Sequence, residues 1–165
     1  MALALTGDAV RAKALADDLG KRFPEDTVVR VKYLPTLRAQ LSVTHNDAMK
    51  GIEVLQAAVP YELGQSLVDV TTNMYPVYVR GETYLAAHRG NEAGAEFQKI
   101  LDHPGIVLNL PIGALARLGL ARAYALQADP AKAKAAYQDF LTLWKDADPD
   151  IPILKQAKAE YAKLK

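Results

Sequence analysis

Residues 81–101 read Gly-Glu-Thr-Tyr-Leu-Ala-Ala-His-Arg-Gly-Asn-Glu-Ala-Gly-Ala-Glu-Phe-Gln-Lys-Ile-Leu, and they align without a gap on residues 121–141. Tyr84 falls on Tyr124, Ala93 on Ala133, Ala95 on Ala135, Phe97 on Tyr137, Gln98 on Gln138 and Leu101 on Leu141, an offset of 40. Working backwards, Gly51-Ile52-Glu53-Val54-Leu55-Gln56 matches the run from Ala93 to Gln98 at an offset of 42. A further step of 39 places Ala12 and Ala16 in the same roles. About four related units in one chain imply stacked supersecondary modules, each too small to bury its own apolar face.

The units have helical periodicity. Leu115, Leu118, Leu120, Ala121, Tyr124 and Ala125 recur at three and four, as do Ala133, Ala136, Tyr137, Phe140, Leu141 and Trp144. Asp129-Pro130 between them reads as an N-cap followed by proline at the first helical position. Asp8, Asn46 or Asp47, and Asn91 are the corresponding cap candidates elsewhere, and Pro24, Pro60, Pro104 and Pro149 are terminators. A coiled coil would need heptads unbroken by such prolines.

Composition agrees with close helix packing. The 165 residues are 50% hydrophobic and hold 28 alanines, against three phenylalanines and one tryptophan. Twenty basic and nineteen acidic side chains leave a net charge of +1, which argues against a binder of nucleic-acid phosphates. With no cysteine, disulfide scaffolds, thiolate metal sites and cysteine nucleophiles are excluded. Arg117 and Arg122 interrupt the most apolar stretch, from Gly105 to Ala128, so no membrane insertion of this segment is expected. The N-terminal run lacks the basic start and apolar length of a secretory signal. A soluble chain is expected; its compartment is not fixed by the residues, with the cytoplasm favoured and an extracytoplasmic position open if a membrane span lies upstream in a longer protein.

These spacings resemble the tetratricopeptide repeat. In that family a small residue stands three places before a tyrosine; a second small residue follows nine places later, and an aromatic four beyond it. Gly81, Tyr84, Ala93 and Phe97 match all four positions, and Ala121, Tyr124, Ala133 and Tyr137 match with alanine for glycine. Ala39, Gly51 and Leu55 match more loosely, with Ser42 where the tyrosine belongs. The resemblance implies an all-α, right-handed superhelix of antiparallel hairpins in a single domain, 1–165. Its units are 1–24, 27–60, 74–104 and 111–148, with a capping helix over 151–165. Two departures stand out. The units step by 39 to 42 rather than 34, with the surplus in connectors 60–73 and 103–112. Arg38 and Arg80 replace the usual leucine before the small residue, and their heads are expected in water.

A narrower similarity rests on Tyr-Val-Arg-Gly-Glu-Thr-Tyr-Leu (78–85) and Asp-Phe-Leu-Thr-Leu-Trp-Lys-Asp-Ala-Asp-Pro-Asp-Ile-Pro-Ile-Leu (139–154). Together they look like the C-terminal repeat region of large bacterial serine/threonine protein kinases of the acidobacterial kind. That implies a part of a longer signalling protein, without kinase activity of its own, since no glycine-rich loop, His-Arg-Asp or Asp-Phe-Gly occurs.

No catalytic motif is present, and neither an enzyme nor a cofactor is expected. His45 and His88 occupy equivalent turns, but a metal needs three or four converging ligands, so they read as exposed turn histidines. His103 reads as a helix-end residue. Glu53 and Glu96 read as solvated carboxylates on second helices. Carried across from the resemblance, the groove-lining positions are Tyr33, Thr36 and Gln40; Tyr75, Tyr78 and Glu82; and Leu115, Leu118 and Arg122. Gln40, Glu82 and Arg122 share one register. The expected function is a non-enzymatic protein–protein interaction module with a protein or peptide partner. The alternative is a small-molecule or metal sensor that uses the long connectors. Leu63, Leu67, Val68 and Val70 make connector 61–73 too apolar to float in water, so extra helix or turn is expected there. Residues 27–32 have strand-like composition but read as the start of a helix kinked at Pro35. At the N-terminus, Ala2–Leu5 look like the tail of a truncated helix. Val10, Ala14 and Leu15 would then form an open apolar end, a candidate homodimer contact. At the C-terminus, Leu154, Ala157, Tyr161 and Leu164 form one apolar stripe, with Lys155, Lys158, Glu160 and Lys163 expected on the wet face.

Overall fold

The computed structural model describes residues 8–64 and 74–164, and all regular structure among them is helical. The helices are α1 (Ala9–Arg22), α2 (Leu34–Thr44), α3 (Ala48–Val54), α4 (Tyr75–Ala86), α5 (Gly90–Asp102), α6 (Pro104–Val107), α7 (Pro111–Leu126), α8 (Pro130–Leu143) and α9 (Pro152–Ala162). Consecutive helices pack as pairs, α2 with α3, α4 with α5 and α7 with α8, and α4 also packs on α2 and α7. The Ala2–Leu5 tail and Leu67, Val68 and Val70 lie outside the described residues.

Four aspartates start helical segments by accepting a backbone N–H from the first turn: Asp8 from Arg11 at 3.1 Å, Asp26 from Val29 at 2.9 Å, Asp47 from Lys50 at 3.2 Å and Asp129 from Lys132 at 3.0 Å. Asn91 does not cap; it sits inside α5, whose cap position is Arg89. Each pair closes through the same turn. Asn46, His88 and Ala128 have φ of 58°, 55° and 56°, and they recur once per unit at the repeat step. Beyond each, the N–H of Asp47, Arg89 and Asp129 reaches back to the carbonyl of Ser42, Tyr84 and Tyr124. This is the left-handed helix end that glycine favours, built here on three other residues. Ala128, which has no side-chain polar group to ease the strain, is the clearest test. Ala128→Gly is expected to raise stability by about 1 kcal/mol in chemical denaturation.

The core lies between the pairs. Ala93 and Ala133 are fully buried, as the small-residue spacing requires, and Phe97 beside Ala93 is also fully buried. Its ring is caught between two glycines: a Cβ on Gly81 would stand 2.7 Å from it, and one on Gly119 2.5 Å. Tyr78 packs edge-on against the same ring, 5.9 Å between centroids.

The strand-like run before Pro35 is helical. Val29–Tyr33 form a π-turn, with the Leu34 N–H bonded to the Val29 carbonyl. The wider turn absorbs the missing N–H and the steric bulk of Pro35 without breaking the helix. Connector 103–112 folds into the single turn α6, which seats Val107 in the core. Residues Leu55–Tyr61 continue α3 as a 3₁₀ helix.

The structure corrects two charged residues. Arg80, expected with its head in water, is 2% exposed, and its guanidinium contacts Glu62 and, at 2.6 Å, Glu96. Glu96, expected to be solvated, is largely buried in that cluster, and Lys99 joins it at 3.2 Å from Glu62 and 3.4 Å from Glu96. A guanidinium at that depth is stable only when its charge is matched. Glu62, at the head of the connector, is thereby fixed to α4 and α5.

Candidate functional site

Helices α4, α7 and α9 bring a polar cluster together. Glu82 on α4 lies beside Arg122 on α7, the two expected to share a register. Arg122 donates to both carboxylate oxygens of Glu160 on α9, from Nε at 2.9 Å and Nη2 at 3.1 Å. The Tyr137 hydroxyl donates to the same carboxylate at 2.9 Å. Glu160 is therefore not on the wet face expected of α9; it is a half-buried partner of Arg122. It stands close to one repeat step beyond Arg122, and extending the row Gln40, Glu82, Arg122 by one more unit would have found it.

Electrostatics in the cluster are unequal. Burial pushes the Glu82 carboxyl above its ordinary value of 4.5, while the Arg122 charge and hydrogen bonding with Tyr78 only partly oppose the rise. Its Oε1 is buried without a hydrogen-bond partner among the described residues. Burial also drives the Tyr78 hydroxyl far above its usual range, with Glu82 adding to the effect. Burial is the largest influence on Arg122 and would lower it, but its hydrogen bonds with Glu160 and the negative charges of Glu160 and Glu82 together outweigh that and hold it above its ordinary value.

The other sequence-derived positions are placed differently. Thr36 is 4% exposed and its hydroxyl is spent on the Lys32 carbonyl at 2.6 Å. Leu118 is 1% exposed, inside the core formed with Tyr137 and Phe140. Neither can touch a partner, because each first helix is covered on that side by the second helix or the next unit. Tyr33 is half-buried against Ala16, Val29 and Leu34. Tyr75 and Tyr78 lean on the Phe97 core while remaining partly accessible; Gln40 and Leu115 are also partly accessible.

The histidines are turn and helix-end residues. His45 and His88 are exposed, and His103 sits with Nδ1 2.7 Å from the Lys99 carbonyl. Among the described residues no three His, Asp or Glu side chains converge on a metal position. No helix there is long and apolar enough to cross a membrane. Val10 and Leu15 on α1 are 85% and 55% exposed, but Arg11, Lys13, Asp18, Lys21 and Arg22 stand around them on the same helix. The expected apolar candidates Val10, Ala14 and Leu15 are thus exposed, interspersed with charged side chains. No family model matches the chain, and neither a curated protein nor a solved structure matches it.

Proposed function

We propose that the chain is a tetratricopeptide-type interaction module, the accessory region of a larger signalling protein, and that it binds a peptide segment along its first helices. Support for the repeat reading comes from the left-handed turn that recurs once per unit and from the fully buried alanines Ala93 and Ala133. Support for binding comes from one observation: Glu82 is held in a half-accessible row of polar and aromatic side chains with a buried, unpartnered oxygen. A carboxylate so placed costs folding energy. A partner's ammonium group at the accessible edge of the row would be drawn towards that carboxyl, with Tyr75 and Tyr78 as rigid contacts and Arg122 fixing register.

Glu82→Gln tests both halves of the reading. A carboxyl raised in the folded state keeps its proton to higher pH than in the unfolded chain, so its effect on stability turns unfavourable as pH rises from about 4.5. The variant is therefore expected to melt higher than the parent at pH 7, with the difference vanishing below the ordinary carboxylate range. Peptides selected by the parent from a random-sequence library are expected to bind this better-folded variant roughly tenfold less well. Selection of no peptide, or of peptides indifferent to Glu82, would overturn the proposal.

A further inference from the structure

A second surface lies away from the Glu82–Arg122 row. Between the α5–α7 connector and the end of α8 runs a trough of about 550 Å³, walled by Leu101, Leu108, Leu110, Leu143 and Trp144, with the Arg117 guanidinium set among them. Among the described residues no aspartate or glutamate lines it. Arg117 gives Nη1 to the Gly113 carbonyl at 2.9 Å, and its remaining donors have no partner among the described residues.

Leu108 makes the trough unusual. It is 62% exposed, and Leu143 across the lining is 56% exposed. Its backbone has φ 52° and ψ −132°, and the Leu110 N–H closes onto the Val107 carbonyl at 3.1 Å. Those are the angles of the first central residue of a type II′ turn, where glycine dominates. A leucine here costs backbone strain and puts a large apolar side chain in water, so folding alone favours neither its identity nor its exposure.

We propose that this trough is a docking site for a segment of another protein that carries a large apolar side chain and, beside it, a carboxylate. Charge complementarity selects the acidic partner: a guanidinium with free donors in an apolar wall takes a carboxylate in bidentate fashion. The exposed rim leucines select a macromolecule. An enclosed small ligand would leave them in water, whereas a peptide laid across the trough covers both.

The test uses the chain's only tryptophan, Trp144, as reporter. Peptides from a random-sequence library are sorted for those that change Trp144 fluorescence. Enrichment in acidic sequences with a large apolar residue is expected, with roughly tenfold or greater weakening in Arg117→Glu. Leu108→Gly separates binding from folding: it should raise the melting temperature by relieving the turn, yet weaken the same peptides. Dependence on Arg117 rather than on Glu82 distinguishes this site from the row, so either reading can fail alone. Selected peptides without acidic residues, or binding unchanged in Arg117→Glu, would overturn the proposal. So would an Arg117-dependent response to laurate in place of peptide, or Arg117-dependent self-association in light scattering.

Discussion

Phe97→Ala is expected to destabilise the chain by about 3–5 kcal/mol, a large share of the roughly 5–15 kcal/mol that holds a domain together. The ring is fully buried and touches three elements at once: Gly81 and Tyr78 on α4, Gly119 on α7, and its own helix α5. Removing it leaves a cavity whose walls are helix backbones, which cannot collapse inward without moving whole helices. The same geometry inverts the usual sign of a glycine substitution. In an exposed helix, glycine to alanine gains about 1 kcal/mol. Gly119→Ala is expected instead to lose about 1–3 kcal/mol, since the new Cβ would stand 2.5 Å from a ring that Gly81 blocks on retreat. Combining Gly119→Ala with Phe97→Leu should recover part of that loss, because the smaller side chain makes room. Urea titrations of the parent, both single variants and the double variant check this. A double variant no better than the sum of its singles would mean the ring and Gly119 are not in contact.

Half of this contact was legible in the sequence and half was not. Gly81, Ala93 and Phe97 fall into a spacing that returns in the next unit, so their role follows from the pattern. Gly119 has no such counterpart: it sits two places before the small position Ala121, inside a helix with no break to mark it. The caps Asp8 and Asp129 were readable, and the one between them was narrowed to Asn46 or Asp47, because an aspartate that precedes a helix acts on a near neighbour in the chain. The left-handed turns were not, since Asn46, His88 and Ala128 share a conformation without sharing chemistry. Within the candidate site, Glu82 and Arg122 came from groove positions carried across from the resemblance by the repeat alignment. Thr36 and Leu118 came from the same carry-over yet are buried, because an alignment fixes a residue's place along a helix and not which neighbour covers it. Glu160 was hidden by its helix, whose lysines suggested that the whole face was wet.

The ion cluster around Arg80 was invisible for a related reason: Glu62 belongs to a different stretch of chain, a connector that no periodicity governs. Its removal gives the second large effect. Arg80→Met keeps the length and the apolar stem but takes away the charge facing Glu62 and Glu96, whose side chains are 3% and 13% exposed. Lys99 still reaches both, at 3.2 Å and 3.4 Å, but it is one cation against two carboxylates and is itself a third exposed. Leaving a buried charge uncompensated costs about 3–5 kcal/mol. Arg80→Met is therefore expected to lower stability by that amount. The reverse holds for the pair taken together. Arg80→Met with Glu62→Leu removes both charges of the deepest contact and leaves Glu96 with Lys99. Apolar replacements of buried pairs are commonly neutral or favourable, so the double variant is expected to return to within about 1–2 kcal/mol of the parent. The difference between single and double variants measures the coupling directly. A single variant as stable as the parent would show that the cluster is hydrated and carries no structural strain. A double variant as unstable as the single would show that Glu62 holds the connector through contacts other than Arg80.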